Sequence, residues 1–399
     1  MQIHLIAAAR PNFMKIAPIY HALAKEAWAE PIIVHTGQHY DLNMSDAFFT
    51  DLKLPAPHIH LGVGSGSHAE QTGNVMMAYE KVILDKQPDL VIVVGDVNST
   101  LACTLAAVKV VYPRSQKPTN PTNKTNLTNQ TNYQLSAKSH ELRRPMVAHL
   151  EAGLRSFDRT MPEEINRLAT DALADVLWTP SPDGDENLLN EGVAKEKIEC
   201  VGNIMIDSLE MMRPVIESQL AFRDFGLKKD NYGVLTFHRP ANVDNPELLA
   251  SLCDALIGIS RQIPLFFPVH PRTRKNLDTF GLMGRLEEAE DIILSEPLNY
   301  VRFMSLIFNC RLAITDSGGI QEETTYLGIP CLTMRPNTER PVTITQGTNR
   351  LCTLENLQDD VQTMLKRDLS SHQVPDLWDG HTADRVVASI KRWLKVEGF

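Results

Sequence analysis

The sequence is poor in cysteine, and its few cysteines are never paired. Six cysteines are scattered singly along 399 residues, with no CxxC pair and no cysteine–histidine spacing typical of a metal site. A disulfide framework and a zinc centre are therefore not expected. Free, mostly buried thiols in a reducing compartment are the state that this pattern predicts.

Long apolar runs and an excess of basic charge are missing as well. No apolar run approaches the ~18–20 residues that a membrane span needs, and no basic leader precedes the first apolar run, Ile3–Ala9, as it would in a signal peptide. A formal net charge of −10 argues against a nucleic-acid-binding face. We therefore expect a soluble, cytoplasmic protein with neither a membrane nor a nucleic acid as partner.

What the chain does contain is an alternation of short aliphatic runs and amphipathic segments. This order is typical of doubly wound α/β sheets with ligands at the strand ends. Because 399 residues exceed one ordinary core, we predict an α/β fold of two Rossmann-like domains facing a central cleft. The predicted strands are Ile3–Ala9, Pro31–His35, Leu90–Val94, Pro145–Leu150, Tyr232–Phe237, Leu265–Val269, Ile292–Leu294, Leu312–Thr315 and Pro330–Met334. The predicted helices are Phe13–Ala27, Ala69–Asp85, Thr100–Val111, Glu247–Arg261, Arg302–Phe308, Ile320–Tyr326 and Thr382–Leu394.

The domain boundaries are predicted from the same alternation. We expect an N-terminal domain over 1–202, a C-terminal domain over 203–380 and a helix in 381–399 that returns to the first domain. A low-complexity insertion at about 114–142 interrupts the first domain, and Pro118–Tyr133 within it repeats Thr and Asn with almost no apolar residue. Such a segment cannot bury enough surface to offset its ordering entropy. We expect it to be an excursion that activity does not need.

The chemically richest stretch is His149–Arg155 together with Met161–Arg167. It places three carboxylates, two arginines and a histidine in a loop between an apolar strand and a helix. Loops at the carboxyl ends of strands aim side chains into a crevice, so the stretch predicts a proton-handling site. Asp96 also follows a strand, although a helix N-cap is its plain alternative role. The histidines at strand ends are His39 and His238.

A second motif, Thr315–Glu323, predicts a phosphate site. Its Ser317, Gly318 and Gly319 lie at a strand-to-helix turn, where backbone N–H groups and the helix dipole favour an anion. Glu323, one turn later, could accept hydrogen bonds from a ribose. The motif alone leaves a plain tight turn open. The basic residues placed at strand ends or in adjacent loops, where they could clamp phosphates, are Arg10, Lys15, Arg272, Arg274, Arg335 and Arg340.

Cofactor and metal signals are weak. The run Gly62-Val-Gly-Ser-Gly66 lacks a third glycine at the spacing of a dinucleotide fingerprint and a clear acidic partner about 20 residues on, so NAD binding is not expected. His58 and His60 alternate on one possible strand without a third ligand nearby in sequence. We predict no cofactor and no metal.

Several motifs in a fixed order closely resemble the non-hydrolysing UDP-N-acetylglucosamine 2-epimerases. The resemblance covers nearly the whole chain apart from the Thr-Asn insertion. It implies a GT-B-like fold, with UDP bound mainly by the second domain, a homodimer and a role in making cell-surface polysaccharide precursors. The motifs are Ala9–Pro18, Thr36–His39, Gly95–Asp96, His149–Arg155, Pro162–Arg167, Asp316–Glu323 and Thr338–Pro341.

The resemblance also implies a reaction and its residues. The C2 proton is removed and UDP is expelled to leave a bound 2-acetamidoglucal, and UDP is then added back with a proton delivered to the opposite face, without a cofactor. The residues that match the family's catalytic positions are Asp96, Glu151, Glu163 and His238. The expected substrate contacts are Arg10, Lys15, His39, Arg155, His270, Arg272, Ser317, Gly318, Gly319, Glu323 and Arg340.

Two departures from the family pattern leave the sugar open. Val97–Thr100 replaces a run of threonines, and His238–Asp244 replaces an arginine-rich run, so UDP-GalNAc or a further modified UDP-acetamido sugar could replace UDP-GlcNAc. Gln38 and His39 match a region where some members bind a second UDP-GlcNAc as activator. Three other classes stay open: a UDP-sugar glycosyltransferase of GT-B fold, a hydrolysing epimerase and a non-catalytic nucleotide-sugar sensor.

Overall fold

A computed structural model describes residues 1–37, 51–113, 142–366 and 372–396. Gln38, His39 and the Thr-Asn repeat lie outside the described residues, so what we predict for them stays a prediction. All six cysteines lie within the described ranges and are free thiols, five of them buried, so the expected free, mostly buried state is confirmed. No helix in these ranges is long and apolar enough to cross a bilayer.

The first half of the chain builds a parallel sheet. In chain order its strands are β1 (Gln2–Ala7), β2 (Glu30–His35), β3 (Ile59–His60), β4 (Leu90–Val94), β5 (Tyr112–Pro113), β6 (Leu142–Arg143), β7 (Met146–Leu150), β8 (Val176–Thr179) and β9 (Ile198–Cys200). Seven of them lie in the order β3-β2-β1-β4-β7-β8-β9. The other two, β5 and β6, form an antiparallel pair. Because β5 ends and β6 begins on either side of the predicted insertion, this pair joins its two ends.

The second half of the chain builds another parallel sheet. Its strands are β10 (Gly233–Thr236), β11 (Leu265–Pro268), β12 (Ile292–Ser295), β13 (Leu312–Thr315), β14 (Cys331–Met334) and β15 (Asn349–Cys352). They lie in the order β12-β11-β10-β13-β14-β15. Every residue of β4 in the first sheet and of β13 in the second is buried. Continuous aliphatic strands of this kind are typical of parallel sheets covered on both faces.

Helices connect the strands of both sheets. Those described in the first half are α1 (Arg10–Leu23), α2 (His68–Lys86), α3 (Asn98–Lys109), α4 (Pro162–Leu173) and α5 (Pro182–Asn190). Those described in the second half are α6 (Ile204–Gln219), α7 (Pro240–Val243), α8 (Pro246–Ser260), α9 (Pro271–Thr279), α10 (Met283–Glu287), α11 (Tyr300–Ile307), α12 (Gly318–Leu327), α13 (Val342–Thr345), α14 (Leu357–Leu365) and α15 (Thr382–Trp393). The α/β class and the alternating order predicted from the sequence are confirmed.

Two helices hold the sheets together. Ser208 of α6, which follows the first sheet, donates a hydrogen bond to the carbonyl of Met14 on α1 (2.5 Å). Helix α15, near the end of the chain, packs back on the first sheet, where the Trp178 indole donates to the Ser389 hydroxyl (2.9 Å). The carboxyl ends of β4 and β7 are thereby brought together with α12, which follows β13.

Candidate active site

Glu151 stands directly after β7 in a strained backbone conformation. Its φ is +67°, a left-handed value that side chains with a Cβ rarely adopt and that is often found at functional sites. Oε2 pairs with the ammonium group of Lys15 on α1. Oε1 is buried and has no hydrogen-bond partner within the described part of the chain. An unsatisfied buried oxygen is costly, so we interpret this atom as an acceptor for a ligand proton.

Gly95, at the end of β4, makes room for that ion pair. Its φ is +65°, and a Cβ there would lie 3.0 Å from Lys15 Nζ and 3.6 Å from Glu151 Oε2. Its carbonyl lies 2.8 Å from His149 Nε2, while His149 Nδ1 lies 2.5 Å from a carboxylate oxygen of Asp171. The histidine of the acidic stretch is therefore a buried support beneath the site.

Asp96 is held by an arginine of helix α4. Its Oδ2 lies 2.8 Å from Arg167 Nη1, and Arg167 Nε donates to Glu164 Oε2 (3.2 Å). Glu164 also accepts from Ser156 N, Ser156 Oγ and Phe157 N at 2.9–3.0 Å. Glu164 is thus a buried anchor for the loop before α4, and Asp96, with about a third of its side chain exposed, is the member of this group that faces outward.

Glu163 differs sharply from the neighbouring Glu164. It is half-buried in the first turn of α4, and its side chain makes no hydrogen bond or ion pair with any residue that the structure describes. The helix itself is fixed beside Asp96, since Asn166 Nδ2 donates to the Asp96 carbonyl (2.9 Å). Asp96 and Glu151 therefore follow the adjacent strands β4 and β7, and the third carboxylate, that of Glu163, lies on a helix fixed beside Asp96.

Two predicted substrate contacts are engaged in other pairs. Arg155 is buried, and its guanidinium contacts both Asp171 (2.7 Å) and Glu191 (2.7 Å). Arg272 is exposed and pairs with Asp244. The structure does not bring either guanidinium to the three carboxylates, so their substrate role stays a prediction that the geometry does not strengthen.

The second sheet contributes a helix N-terminus beside a buried arginine. Ser317 precedes the first turn of α12, and its backbone N–H donates to Thr315 Oγ1 (2.9 Å). A Cβ on Gly318 would lie only 2.8 Å from Arg340 Nη1, whereas a Cβ on Gly319 would meet nothing within 4 Å. Gly318 thus lets Arg340 approach the helix end, and Gly319 borders open space. An anion fits such a site.

His238 follows β10 and is oriented by a buried aspartate. Its Nδ1 lies 2.8 Å from Asp316 Oδ1, and Asp316 also accepts from the backbone N–H groups of His238 and Arg239. Burial raises the pKa of Asp316, but the hydrogen bonds from His238 and Arg239 and the charge of His238 together outweigh burial, so the pKa lies below its usual value. This pairing leaves the His238 Nε2 for a ligand. The nearby His270, whose ring centre lies 5.5 Å away, has a pKa lowered by burial and by His238.

Arg239 is a cation that the sequence analysis missed. It is half-buried, and its side chain makes no ion pair or hydrogen bond with the residues in the described ranges. Burial, and the like charge of Arg335, lower its pKa. Glu339 and Asp316 act on it only electrostatically, so this half-buried guanidinium, which has no ion pair within the described ranges, is available for an anionic ligand. Its position directly after His238 was the available signal.

Glu323 and Tyr300 form a buried pair near Arg10. The Tyr300 hydroxyl donates to Glu323 Oε1 (2.8 Å), and burial raises the pKa of Glu323 to about 8. Arg10, from the first sheet's α1, interacts electrostatically with Tyr300. Arg10 of the first half and Glu323 of the second half, both expected UDP contacts, therefore both interact with Tyr300.

Comparisons with known proteins agree with this arrangement. A sequence profile of the UDP-N-acetylglucosamine 2-epimerase family matches residues 21–113 and 135–391. The UDP-N-acetylglucosamine 2-epimerase of Methanococcus maripaludis is 38% identical over 97% of each chain. The UDP-2,3-diacetamido-2,3-dideoxy-D-glucuronate 2-epimerase of Pseudomonas aeruginosa is also 38% identical, over 88% of each chain.

A solved structure shares the fold over its whole length. The Methanocaldococcus jannaschii UDP-GlcNAc 2-epimerase, crystallised in complex with UDP-GlcNAc and UDP, superposes with a TM-score of 0.81 at 37% identity, covering 98% of this chain and 100% of that one. The GT-B-like fold class is confirmed by this match. The chain belongs to the UDP-N-acetylglucosamine 2-epimerase family and is an isomerase of that family.

Proposed function

We propose that this enzyme reversibly epimerises C2 of a UDP-N-acetylhexosamine, with UDP-GlcNAc and UDP-ManNAc as the interconverted pair. The observation that carries the proposal is the position of Glu151. Its buried Oε1 lacks a partner among the described residues, and its charge acts on Arg340 of the second half. A proton acceptor and an expected diphosphate contact thus lie within electrostatic reach of each other.

The proposed first step is an elimination. The Glu151 carboxylate, whose charge Lys15 balances, takes the C2 proton, the C1–C2 double bond forms, and the C1–oxygen bond breaks with its electron pair leaving on UDP. A buried base close to C2 is needed because this proton is only weakly acidic. The product is a 2-acetamidoglucal beside UDP.

The second step returns UDP and a proton. UDP adds back to C1, and a carboxylic acid on the opposite face gives its proton to C2. We assign this acid to Glu163, which has no cationic partner among the residues described, with Asp96 held beside it by Arg167. Two faces of one carbon require two proton carriers.

Charge on the departing UDP is matched by groups of the second half. We expect the negative charge that develops on the diphosphate to be stabilised by Arg340, the N-terminus of α12 and His238, which Asp316 orients. Preorganised donors of this kind lower the barrier because they need no rearrangement during the reaction. Arg239 adds one more unpaired cation.

The proposal is tested by following UDP-GlcNAc with the purified enzyme by NMR. We expect UDP-ManNAc to form reversibly and to reach the same ratio from either side. Irreversible release of free N-acetylmannosamine and UDP would identify a hydrolysing epimerase instead. Release of UDP only with an added acceptor would identify a glycosyltransferase, and unchanged substrate with measurable binding would identify a sensor.

A second candidate substrate is a UDP-acetamido sugar that carries a carboxylate. The Pseudomonas aeruginosa relative is named for such a uronate, and the half-buried Arg239 is a cation that could pair with that group. The same NMR assay with UDP-2,3-diacetamido-2,3-dideoxy-D-glucuronate decides between the two. A larger kcat/KM for the uronate would make it the preferred substrate.

The remaining parts of the proposal come from the family resemblance. We propose that the enzyme is a cytoplasmic homodimer that supplies a precursor for cell-surface polysaccharides. A second UDP-sugar is proposed as an activator near Gln38 and His39, which lie outside the described ranges.

Ribose recognition by Glu323 predicts a pH dependence of nucleoside binding. A ribose hydroxyl donates best to an ionised carboxylate, and burial raises the pKa of Glu323 to about 8. Most of this group is therefore protonated below that pH, and uridine affinity should rise as the pH rises through it, by roughly tenfold between about pH 6.5 and 8.5. Uridine is the probe because it carries no titrating phosphate. Calorimetry should show this rise in the wild type and a flat profile in Glu323→Gln, and equal slopes would contradict the assignment.

A further inference from the structure

Glu322 is a buried carboxylate that the reaction described above does not use. It precedes Glu323 on α12 and is 2% exposed. Its Oε1 lies 2.9 Å from Arg340 Nε and accepts a hydrogen bond from Asn203 Nδ2 (3.0 Å). One carboxylate oxygen therefore contacts both Arg340, an expected diphosphate contact, and Asn203, the residue before α6.

Stability alone does not explain this pair. Burial raises the pKa of Glu322 even though Arg340 opposes the shift. The loss of hydration therefore disfavours the charged form of this carboxylate. Replacing a buried ion pair with apolar residues of similar volume is often neutral or stabilising. A role in placing a neighbouring group is the better explanation for a charge at this position.

The group that Glu322 places is the Arg340 guanidinium. Glu339 Oε1 accepts from Arg340 Nη1 (2.5 Å), while Glu322 Oε1 lies 2.9 Å from Arg340 Nε, so the guanidinium contacts one carboxylate at each of two nitrogens. The same nitrogen Nη1 lies over Gly318, where a Cβ would be 2.8 Å away. Loss of either carboxylate would free the arginine to rotate away from the end of α12.

Asn203 extends the contact to the segment between the two sheets. It is fully buried, follows β9, and caps α6 by accepting from Met205 N (2.9 Å). Glu322 also interacts electrostatically with Glu151 and Lys15 in the first half. The carboxylate therefore contacts Arg340 on one side and the connection between the halves on the other.

We propose that Glu322 is a positioning residue of the diphosphate site, which orients Arg340 toward UDP and ties it to the segment that joins the two sheets. This inference rests on the proposed function, because it takes Arg340 to bind the diphosphate. Glu322 itself does not touch the substrate and acts only through Arg340.

A double-mutant cycle on UDP binding tests the proposal. Calorimetry is run with UDP and with uridine on the wild type, Glu322→Gln, Arg340→Met and the double variant. We expect Glu322→Gln to weaken UDP binding about tenfold and uridine binding less than twofold, and to have no further effect on UDP once Arg340 is replaced. Glutamine keeps an oxygen that can accept from Asn203, so the change tests the charge.

Several outcomes would overturn the proposal. UDP affinity unchanged in a folded Glu322→Gln, losses that add in the double variant, or an equal loss for uridine would each do so. Arg340→Lys replaces Arg340→Met in the cycle if the methionine variant does not fold. Glu210→Gln, which breaks a half-buried pair with Arg213 on α6, is the matched control and should leave both affinities unchanged. Binding needs no turnover, so failure of this cycle is distinguishable from failure of C2 epimerisation in the wild type.

Discussion

Glu151→Gln should reduce kcat for epimerisation by about 10²–10⁴-fold, the range for loss of a general base. The amide cannot take the C2 proton, although its shape is close to that of the carboxylate. UDP affinity should be kept or slightly improved, since the substitution removes a negative charge that acts on Arg340. NMR progress curves give kcat, and calorimetry gives the dissociation constant of UDP.

A matched control distinguishes loss of the catalytic base from loss of stability as the cause of reduced activity. Glu26→Gln breaks another glutamate–lysine pair, formed with Lys391 of α15 at 2.9 Å. Because Glu26 lies far along the chain from the acidic stretch, this variant should keep full activity. Because Glu151→Gln leaves Lys15 without its partner, its urea unfolding is measured in parallel. Normal turnover in Glu151→Gln would remove this residue from the mechanism.

The second large effect is a contrast between two adjacent glutamates. Glu163→Gln should lower kcat by about 10²–10⁴-fold while changing the free energy of unfolding by less than about 0.5 kcal/mol. Its side chain is half-buried and has no partner within the described ranges, so folding loses little. The readouts are the NMR rate and urea denaturation.

Glu164→Gln should behave in the opposite order. Its carboxylate holds the Ser156–Phe157 loop and Arg167, so the free energy of unfolding should fall by about 3 kcal/mol. Its activity should fall as the folded fraction of the protein falls. A further loss is expected if Arg167, no longer held by Glu164, moves away from Asp96. If Glu163→Gln destabilised the protein as much as Glu164→Gln, or turned over normally, the assignment of Glu163 as a proton carrier would be wrong.

The sequence predicted the central strands best. Leu90–Val94 and Leu312–Thr315 match β4 and β13 residue for residue, because both are continuous apolar runs in the middle of a sheet. The described strands that were not predicted are β3, β5, β6, β8, β9 and β15. Of these, β3, β9 and β15 lie at the edge of a sheet, and polar residues such as Glu199 in β9 and Arg350 in β15 interrupt the pattern that marks a buried strand.

The residues of the candidate site were predicted from their position after strands and not from an apolar pattern. Asp96, Glu151 and His238 were found because each follows a strand, and strand ends converge in a doubly wound sheet. Which groups pair could not be predicted, since Lys15 meets Glu151 across 136 positions of the chain. For the same reason Arg155 looked like a ligand contact in the sequence, while in the structure it is committed to Asp171 and Glu191.

The most direct test of the account is deuterium incorporation at C2 when the enzyme is incubated with UDP-GlcNAc in D2O. We expect NMR to show deuterium at C2 of the UDP-ManNAc formed, and in recovered UDP-GlcNAc as the reverse reaction proceeds. Incorporation should be lost in Glu151→Gln and kept in Glu26→Gln. Epimerised product that retains protium at C2, or substrate that never exchanges, would contradict proton transfer by these carboxylates.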